Sequence, residues 1–375
     1  MSVVYLHIGT PKTGTTSLQA FLGMNRKELR KQGIDYPDGS DFLERPAYSR
    51  HHNGIWIRQC YGDPAYERHV QTLLERCDRA PMVLFSDEEI FRGYQKEPGI
   101  IRDLHQALKE AGHRMEIIVY LRRQDEYLTS LWAQKVKRFY TGSFDEWLSG
   151  LADGAGEGDY FSILEALARE VGQEDIHVRI YDKSLFTGTH TIYADFLSIF
   201  GIEQTPAYEE PDSPKNLSLQ DVYLETKRRL NADPAFHVSK GIDKDSPVFQ
   251  AAQAIKDVLV ELQEEARAAH QLKNRSLVSA ASRQKLLESY AESNEKTAQK
   301  YLKLLPQQTL FPPFDPTTVT DDIIPEEEIF EVMAQVTLRI ARDAAQGQNA
   351  AKAKPAPDLP HRVWRALKKR LKGKN

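Results

Sequence analysis

The sequence predicts an α/β fold: a parallel sheet flanked by helices, followed by a largely helical carboxyl-terminal part. Three observations predict it. Short apolar runs at residues 3–8, 82–85, 116–121 and 177–181 are separated by helical patterns, and strands buried on both faces read as continuous apolar runs. A glycine-rich turn follows the first run directly, where a strand would hand over to a helix. Beyond about residue 210 the strand signals stop and long helical patterns take over.

The elements follow in order. Residues 14–31 read as a helix ending in Arg26, Lys27, Arg30 and Lys31, basic residues suited to the negative end of a helix dipole. Residues 38–64, rich in His, Pro, Gly and Asp, read as a loop with partial structure. Helices are predicted over 65–78, 100–111, about 125–140, 160–171 and 189–200, then over 218–231, 247–269 and 283–303. Pro306 and the pair Pro312-Pro313 end that run. Residues 326–345 make a last long helix, and 346–360, rich in Gln, Ala, Lys and Pro, read as a linker.

Composition sets bounds on function. With 375 residues, 41% hydrophobic and 28% charged, the chain reads as a soluble globular protein. A net charge of −4 leaves no global nucleic-acid footprint. Cys60 and Cys77 fall in no metal-ligand spacing and read as reduced thiols or core residues. The amino-terminal apolar stretch is too short for a signal peptide, and no later run reaches 18 apolar residues. The expectation is a cytoplasmic protein.

The chemistry gathers in the stretch HIGTPKTGTTSLQ, residues 7–19. Gly9 and Gly14 are spaced as in the triphosphate loop G-x-x-x-x-G-K-[ST]. Thr15 then stands where that loop has lysine, and the lysine is Lys12, inside the turn. An anion cradle still follows. Backbone N–H groups of Thr13 to Thr16 face inward at a helix N-terminus, Thr15, Thr16 and Ser17 add hydroxyls, and Lys12 adds a charge.

The segment Gly9-Thr10-Pro11-Lys12-Thr13-Gly14-Thr15-Thr16-Ser17-Leu18 resembles the 5′-phosphosulfate-binding loop of the sulfotransferase family. The resemblance implies a P-loop NTPase-like sulfotransferase fold and 3′-phosphoadenosine 5′-phosphosulfate (PAPS) as co-substrate, held by Gly9, Pro11, Lys12, Thr13, Gly14, Thr15, Thr16 and Ser17. The family's 3′-phosphate site is an arginine ending a central strand with a serine eight residues on; here Arg122 and Ser130 match it. Arginine offers bidentate contact to phosphate. Arg123-Gln124 replaces the family's usual Asn-Pro, which leaves Arg122 and Arg123 as alternatives for that contact. Weaker similarities lie at Asn216-Leu217-Ser218-Leu219, at Arg228-Arg229-Leu230-Asn231 and at Tyr290-Ala291-Glu292-Ser293-Asn294-Glu295. No chemistry is assigned to them: Asn216 or Ser218 reads as a helix N-cap, and Asn294 as a surface or packing residue. The implied organisation is a sulfotransferase domain over 1–305, with an α/β core to about 210 and a helical acceptor-side part over 211–305. A helical extension covers 306–345, and a linker with a basic tail covers 346–375.

Sulfuryl transfer is an in-line displacement comparable with phosphoryl transfer. Lys12 is the residue expected to meet charge on the leaving bisphosphate. The acceptor hydroxyl or amine needs a base. His51, His52, Asp87, Glu88 and Glu89 are candidates, with Glu88 preferred because Ser86-x-Glu88 matches the bacterial pattern, and His52 second. The mechanism requires no metal. The rival reading is a P-loop kinase or ATPase with Asp87 on magnesium, and a third is a catalytically silent nucleotide-binding module. The expected acceptor is a carbohydrate or other small molecule.

At residues 361–371, Val363, Trp364, Leu367 and Leu371 fall at helical spacing with Lys and Arg between them. This reads as an interfacial membrane helix, a partner-binding tail or a plain basic tail. The first would make the protein peripheral at the inner face of the membrane, with an envelope glycan or glycolipid as acceptor.

Overall fold

The computed structural model describes residues 1–44, 51–151, 157–189, 191–211, 219–234, 238, 243, 245–320 and 322–345. The predicted Asn216 and Ser218 caps and the tail at 361–371 lie outside the described residues. The chain divides into two compact units. The first comprises Met1–Tyr127, Gly154–Pro214 and Leu287–Pro313, and the second Leu128–Asp153, Lys215–Leu286 and Phe314–Asn375.

The first unit is α/β. Its strands are β1 (Val3–His7), β2 (Ile34–Asp35), β3 (Met82–Ser86), β4 (Arg114–Leu121) and β5 (Ile176–Ile180). They form a five-stranded sheet in the order β2-β3-β1-β4-β5, with every pairing parallel. Tyr5 of β1 is in register with Leu84 of β3 and Glu116 of β4, so the turn leaving β1 emerges between two neighbouring strand ends. On one face Leu18, Phe21 and Leu22 of the Thr15–Met24 helix, with Phe196 and Leu197, pack on Ile34, Leu84, Ile118 and Tyr120. Alternation sends Phe85 to the opposite face, where its ring meets Phe42 at 5.4 Å and Trp56 at 5.8 Å.

Several elements differ from the sequence expectation. The helix expected over 14–31 breaks at Asn25 into Thr15–Met24 and Arg26–Lys31, because the Asn25 side chain donates to Phe21 O and Glu209 O and accepts from Glu209 N. The two-residue edge strand β2 follows it. Residues 55–59 inside the expected loop form the Ile55–Gln59 helix. Helices Glu89–Lys96 and Phe144–Ser149 were not expected. The helix over 283–303 is two, Ala280–Ser289 and Ala291–Tyr301.

The second unit is helical. In it Asp221–Ala232 packs with Pro247–Ala268 and Glu326–Ala345, burying Ile255, Leu259, Ile329 and Val336. Arg275, itself buried, reaches Asp221 at 2.8 Å and Glu328 at 2.6 Å.

Candidate active site

The site grows from the carboxyl end of β1, the central strand. Thr10 closes the first half of the turn onto β4: its N–H and its hydroxyl both donate to Tyr120 O, at 3.1 and 2.9 Å. The Thr13 hydroxyl donates to Thr10 O at 2.7 Å. Gly9, Lys12 and Gly14 all have positive φ, at 52°, 75° and 71°. Glycine takes that region freely, but lysine pays about 1–2 kcal/mol there. The strain at Lys12 is held in place, because Arg122 Nη1 donates to Lys12 O at 2.9 Å, as expected where a turn is over-determined by its neighbours. The first intrahelical bond runs from Leu18 N to Gly14 O. The amides of Thr15, Thr16 and Ser17 precede it and lack a carbonyl partner within the helix.

The expected hydroxyls separate in role. Thr15 is buried and bonds to the Glu88 carboxylate, Ser17 bonds to Tyr193, and Thr16 is exposed. Pro11 is buried beneath the turn. A methyl on Gly9 would meet Glu88 Cβ and Thr15 Oγ1 at 3.4 Å, and one on Gly14 would meet Tyr181 Oη at 3.0 Å. The loop therefore lies directly against Glu88 on one side and Tyr181 on the other.

Glu88 is the residue before the Glu89–Lys96 helix. Burial raises its carboxyl above the ordinary glutamate range; Thr15 pulls it down, Asp87 and Glu89 push it up, and Lys12 draws it down again. Asp87 is buried and differently employed. Arg58 Nε donates to Asp87 Oδ2 at 2.8 Å, and Glu89 N donates to Oδ1 at 3.1 Å. His51 lies apart from this chemistry, against Gly23 of the first helix. His52 is half-buried on a segment clasped to the end of β3: Asn53 Oδ1 accepts from Ser86 N, and Gly54 N donates to Ser86 O.

The two arginines after β4 also divide. Arg122 sits on the Lys12 carbonyl, pairs with Glu126 at 2.9 Å and lies 5.7 Å over the Tyr181 ring. Arg123 turns away, to buried Asp125 at 2.7 Å and to Pro312 O at 3.4 Å. Arg122 is thus the one at the loop. Ser130 lies half-buried further along the Gln124–Lys137 helix, on the part that belongs to the second unit.

His7 lies within residues 7–19 but carried no recognisable motif of its own. The strand read as fully apolar ends in this buried imidazole, whose Nδ1 is 2.8 Å from Ser86 Oγ. Burial lowers it to about 3, so it stays neutral. Tyr181 and Asn294 were also missed as parts of this region. The aromatic ring after β5 carried no motif, and the Asn294 partner is 170 residues away in sequence.

No protein-family model matches the chain. An uncharacterized protein of Archaeoglobus fulgidus is 31% identical over 186 residues, covering 50% of this chain and 45% of that protein. The chain thus spans about half the length of the curated relative it matches. A crystal structure of a sulfotransferase from Alicyclobacillus acidocaldarius matches with a TM-score of 0.33 and 15% identity, covering 70% of this chain and 95% of that one.

Proposed function

We propose that the chain is a sulfotransferase that moves a sulfuryl group from PAPS to a hydroxyl or amine of an acceptor of carbohydrate class. The observation that carries this reading is one loop joined to three groups. Lys12 lies within it, Glu88 is bonded to its Thr15, and Arg122 is bonded to its Lys12 carbonyl.

The chemistry needs a new S–O bond to an acceptor hydroxyl, or S–N bond to an acceptor amine, while the bond from sulfur to the phosphate-bridging oxygen breaks and the acceptor proton passes to a base. In this reading Lys12 and the first-turn amides meet charge on that oxygen. Glu88 stands at the loop to take the acceptor proton, with His52 as the alternative base from the neighbouring segment. Arg122 provides the cation for the 3′-phosphate, and Ser130 remains its proposed hydroxyl partner. The magnesium-ATP reading would draw on Asp87, whose carboxylate is committed to Arg58 and the Glu89 amide.

Among the described residues no helix is long and apolar enough to cross a membrane. The proposed location is the cytoplasm, with residues 361–371 resting on an anionic membrane surface near an envelope glycan or glycolipid. Deleting residues 355–375 and fractionating cells tests this; unchanged membrane association would dispose of it.

The central test is calorimetry with 3′,5′-adenosine bisphosphate in EDTA against Mg·ATP, followed by a screen of acceptor extracts with radiolabelled sulfate donor. Lys12→Ala serves as the control, and label transfer at the wild-type rate in it would contradict the assignment. Tight Mg·ATP binding with indifference to the bisphosphate would favour the kinase reading instead.

A further inference from the structure

The segment around Asn294 has a role that the loop and its three groups do not account for. Arg122 and Arg123 form a two-residue connection between β4 and the Gln124–Lys137 helix. Gln124 occupies the first helical position, where proline would fix φ in advance. Glutamine fixes nothing by itself. Its amide is instead gripped from outside. Gln124 is fully buried, its Nε2 donates to Asn294 Oδ1 at 2.6 Å and to Gly158 O at 3.1 Å, and Asn294 Nδ2 donates back to Gln124 Oε1 at 3.1 Å. The two amides make a reciprocal pair in a buried setting, where such bonds are worth most and are costly to break.

The support extends on both sides. Tyr160 Oη donates to Arg122 O at 2.6 Å. Ser293, next to Asn294, donates to Asp159 at 2.6 Å and accepts from Phe161 N at 3.2 Å. The Tyr290 ring fills the space at Gly158, 2.5 Å from where a methyl there would stand. The helix Ala291–Tyr301 is therefore fastened at several points to the stretch that holds the Arg122 connection.

We infer that Asn294, acting through its paired amide with Gln124, is a positioning residue that fixes the Arg122 turn against the Lys12 loop. This rests on the proposed function, since Arg122 is the group taken to meet the 3′-phosphate. Without the pair the turn retains its fold but samples more conformations, and the guanidinium loses its fixed place. The cost falls chiefly on recognition of the 3′-phosphate, with a smaller loss at the loop whose Lys12 carbonyl Arg122 holds.

The test compares binding of 3′,5′-adenosine bisphosphate and of 5′-AMP, which lacks the 3′-phosphate, by calorimetry on the full chain. The variants are Asn294→Ala, Gln124→Ala, their double, and Asn294→Ala in an Arg122→Ala background. Asn294→Ala should weaken the bisphosphate about tenfold and AMP clearly less. The double should lose no more than the worse single variant, as coupled partners do. In the Arg122→Ala background the Asn294 change should have no effect on the ratio of the two affinities. A wild type that prefers the bisphosphate while Asn294→Ala keeps the full preference overturns this inference alone, as does equal weakening of both ligands. A wild type with no preference for the bisphosphate overturns the reading of the site and this inference with it.

Discussion

Replacing Lys227 with methionine should stabilise the protein strongly near pH 6 and hardly at all near pH 9.5. Lys227 is 1% exposed in the second unit. Its Nζ donates to Asn231 Oδ1 at 2.5 Å and lies 4.8 Å over the Phe139 ring. Burial, and then the charge on Lys256, lower it from 10.5 to about 7. The gap of about 3.5 units between those values, at about 1.4 kcal/mol per unit, makes charging this amine in the fold cost about 5 kcal/mol. A lowered lysine has a definite sign. Between pH 7 and 10.5 the unfolded chain binds the extra proton, so wild-type stability rises with pH across that window, and below pH 7 the full cost applies. Methionine is unbranched and apolar, one atom shorter than lysine, and removes the cost. It leaves Asn231 Oδ1 without this donor, a loss of about 1 kcal/mol. The net gain is then about 4 kcal/mol near pH 6 and close to zero near pH 9.5, where only about one unit of the gap remains. Urea unfolding followed by circular dichroism at both pH values measures it. A variant less stable than wild type at both, or equally stabilised at both, would refute the argument that burial makes the charge on Lys227 costly.

The other predictions concern the site. Lys12→Ala should lower kcat by about 10²- to 10³-fold, the scale of losing one charge-stabilising donor, measured by label transfer at saturating donor. Glu88 is held above the ordinary glutamate range by burial, so kcat/KM should fall as pH drops through a pKa above 4.5; Glu88→Gln should abolish that acid limb, and a limb that persists would assign it to another group. Arg122→Ala should cut bisphosphate affinity by about ten- to a hundredfold and lower the unfolding midpoint modestly, since it also releases the Lys12 carbonyl. Arg123→Ala should act chiefly on the midpoint, since its guanidinium is the ion-pair partner of a fully buried Asp125. Gly14→Ala should cost about 1–2 kcal/mol in stability and weaken nucleotide binding, because φ is 71° and Tyr181 leaves 3.0 Å for the new methyl; thermal melts with and without ligand check both.

What was legible in the sequence was what local chemistry dictates. The apolar runs became β1, β3 and β4 because a parallel strand covered on both faces has no polar alternation to lose, whereas the edge strand β5, with His177 and Arg179 between Ile176, Val178 and Ile180, alternates. The Gly9–Ser17 turn was legible because its glycines and its lysine serve a local geometry. Strand β2 was not, since Ile34–Asp35 is only two residues and owes its pairing to β3 rather than to any pattern of its own. The Glu89–Lys96 helix hid behind an acidic run that read as loop. The Phe144–Ser149 helix did carry a readable signal, the Ser143 and Glu146 capping box. Within the site, the arginine nearest the loop could not be chosen from adjacent letters; it took the Lys12 carbonyl and the Asp125 carboxylate to separate Arg122 from Arg123. Asn294 read only as a surface or packing residue, and its pairing with Gln124 was beyond reach, because a partner 170 residues distant leaves no local trace.

The first unit is stitched from three stretches of chain, and the last runs from Leu287 to Pro313. A nascent chain that has left the ribosome only as far as Pro214 already carries all five strands, yet it lacks the amide that grips Gln124 and the carbonyl that receives Arg123. During synthesis the sheet can therefore assemble well before the loop and its supporting contacts are complete, and the proposed nucleotide binding would arrive late, after the intervening helical segment has been made.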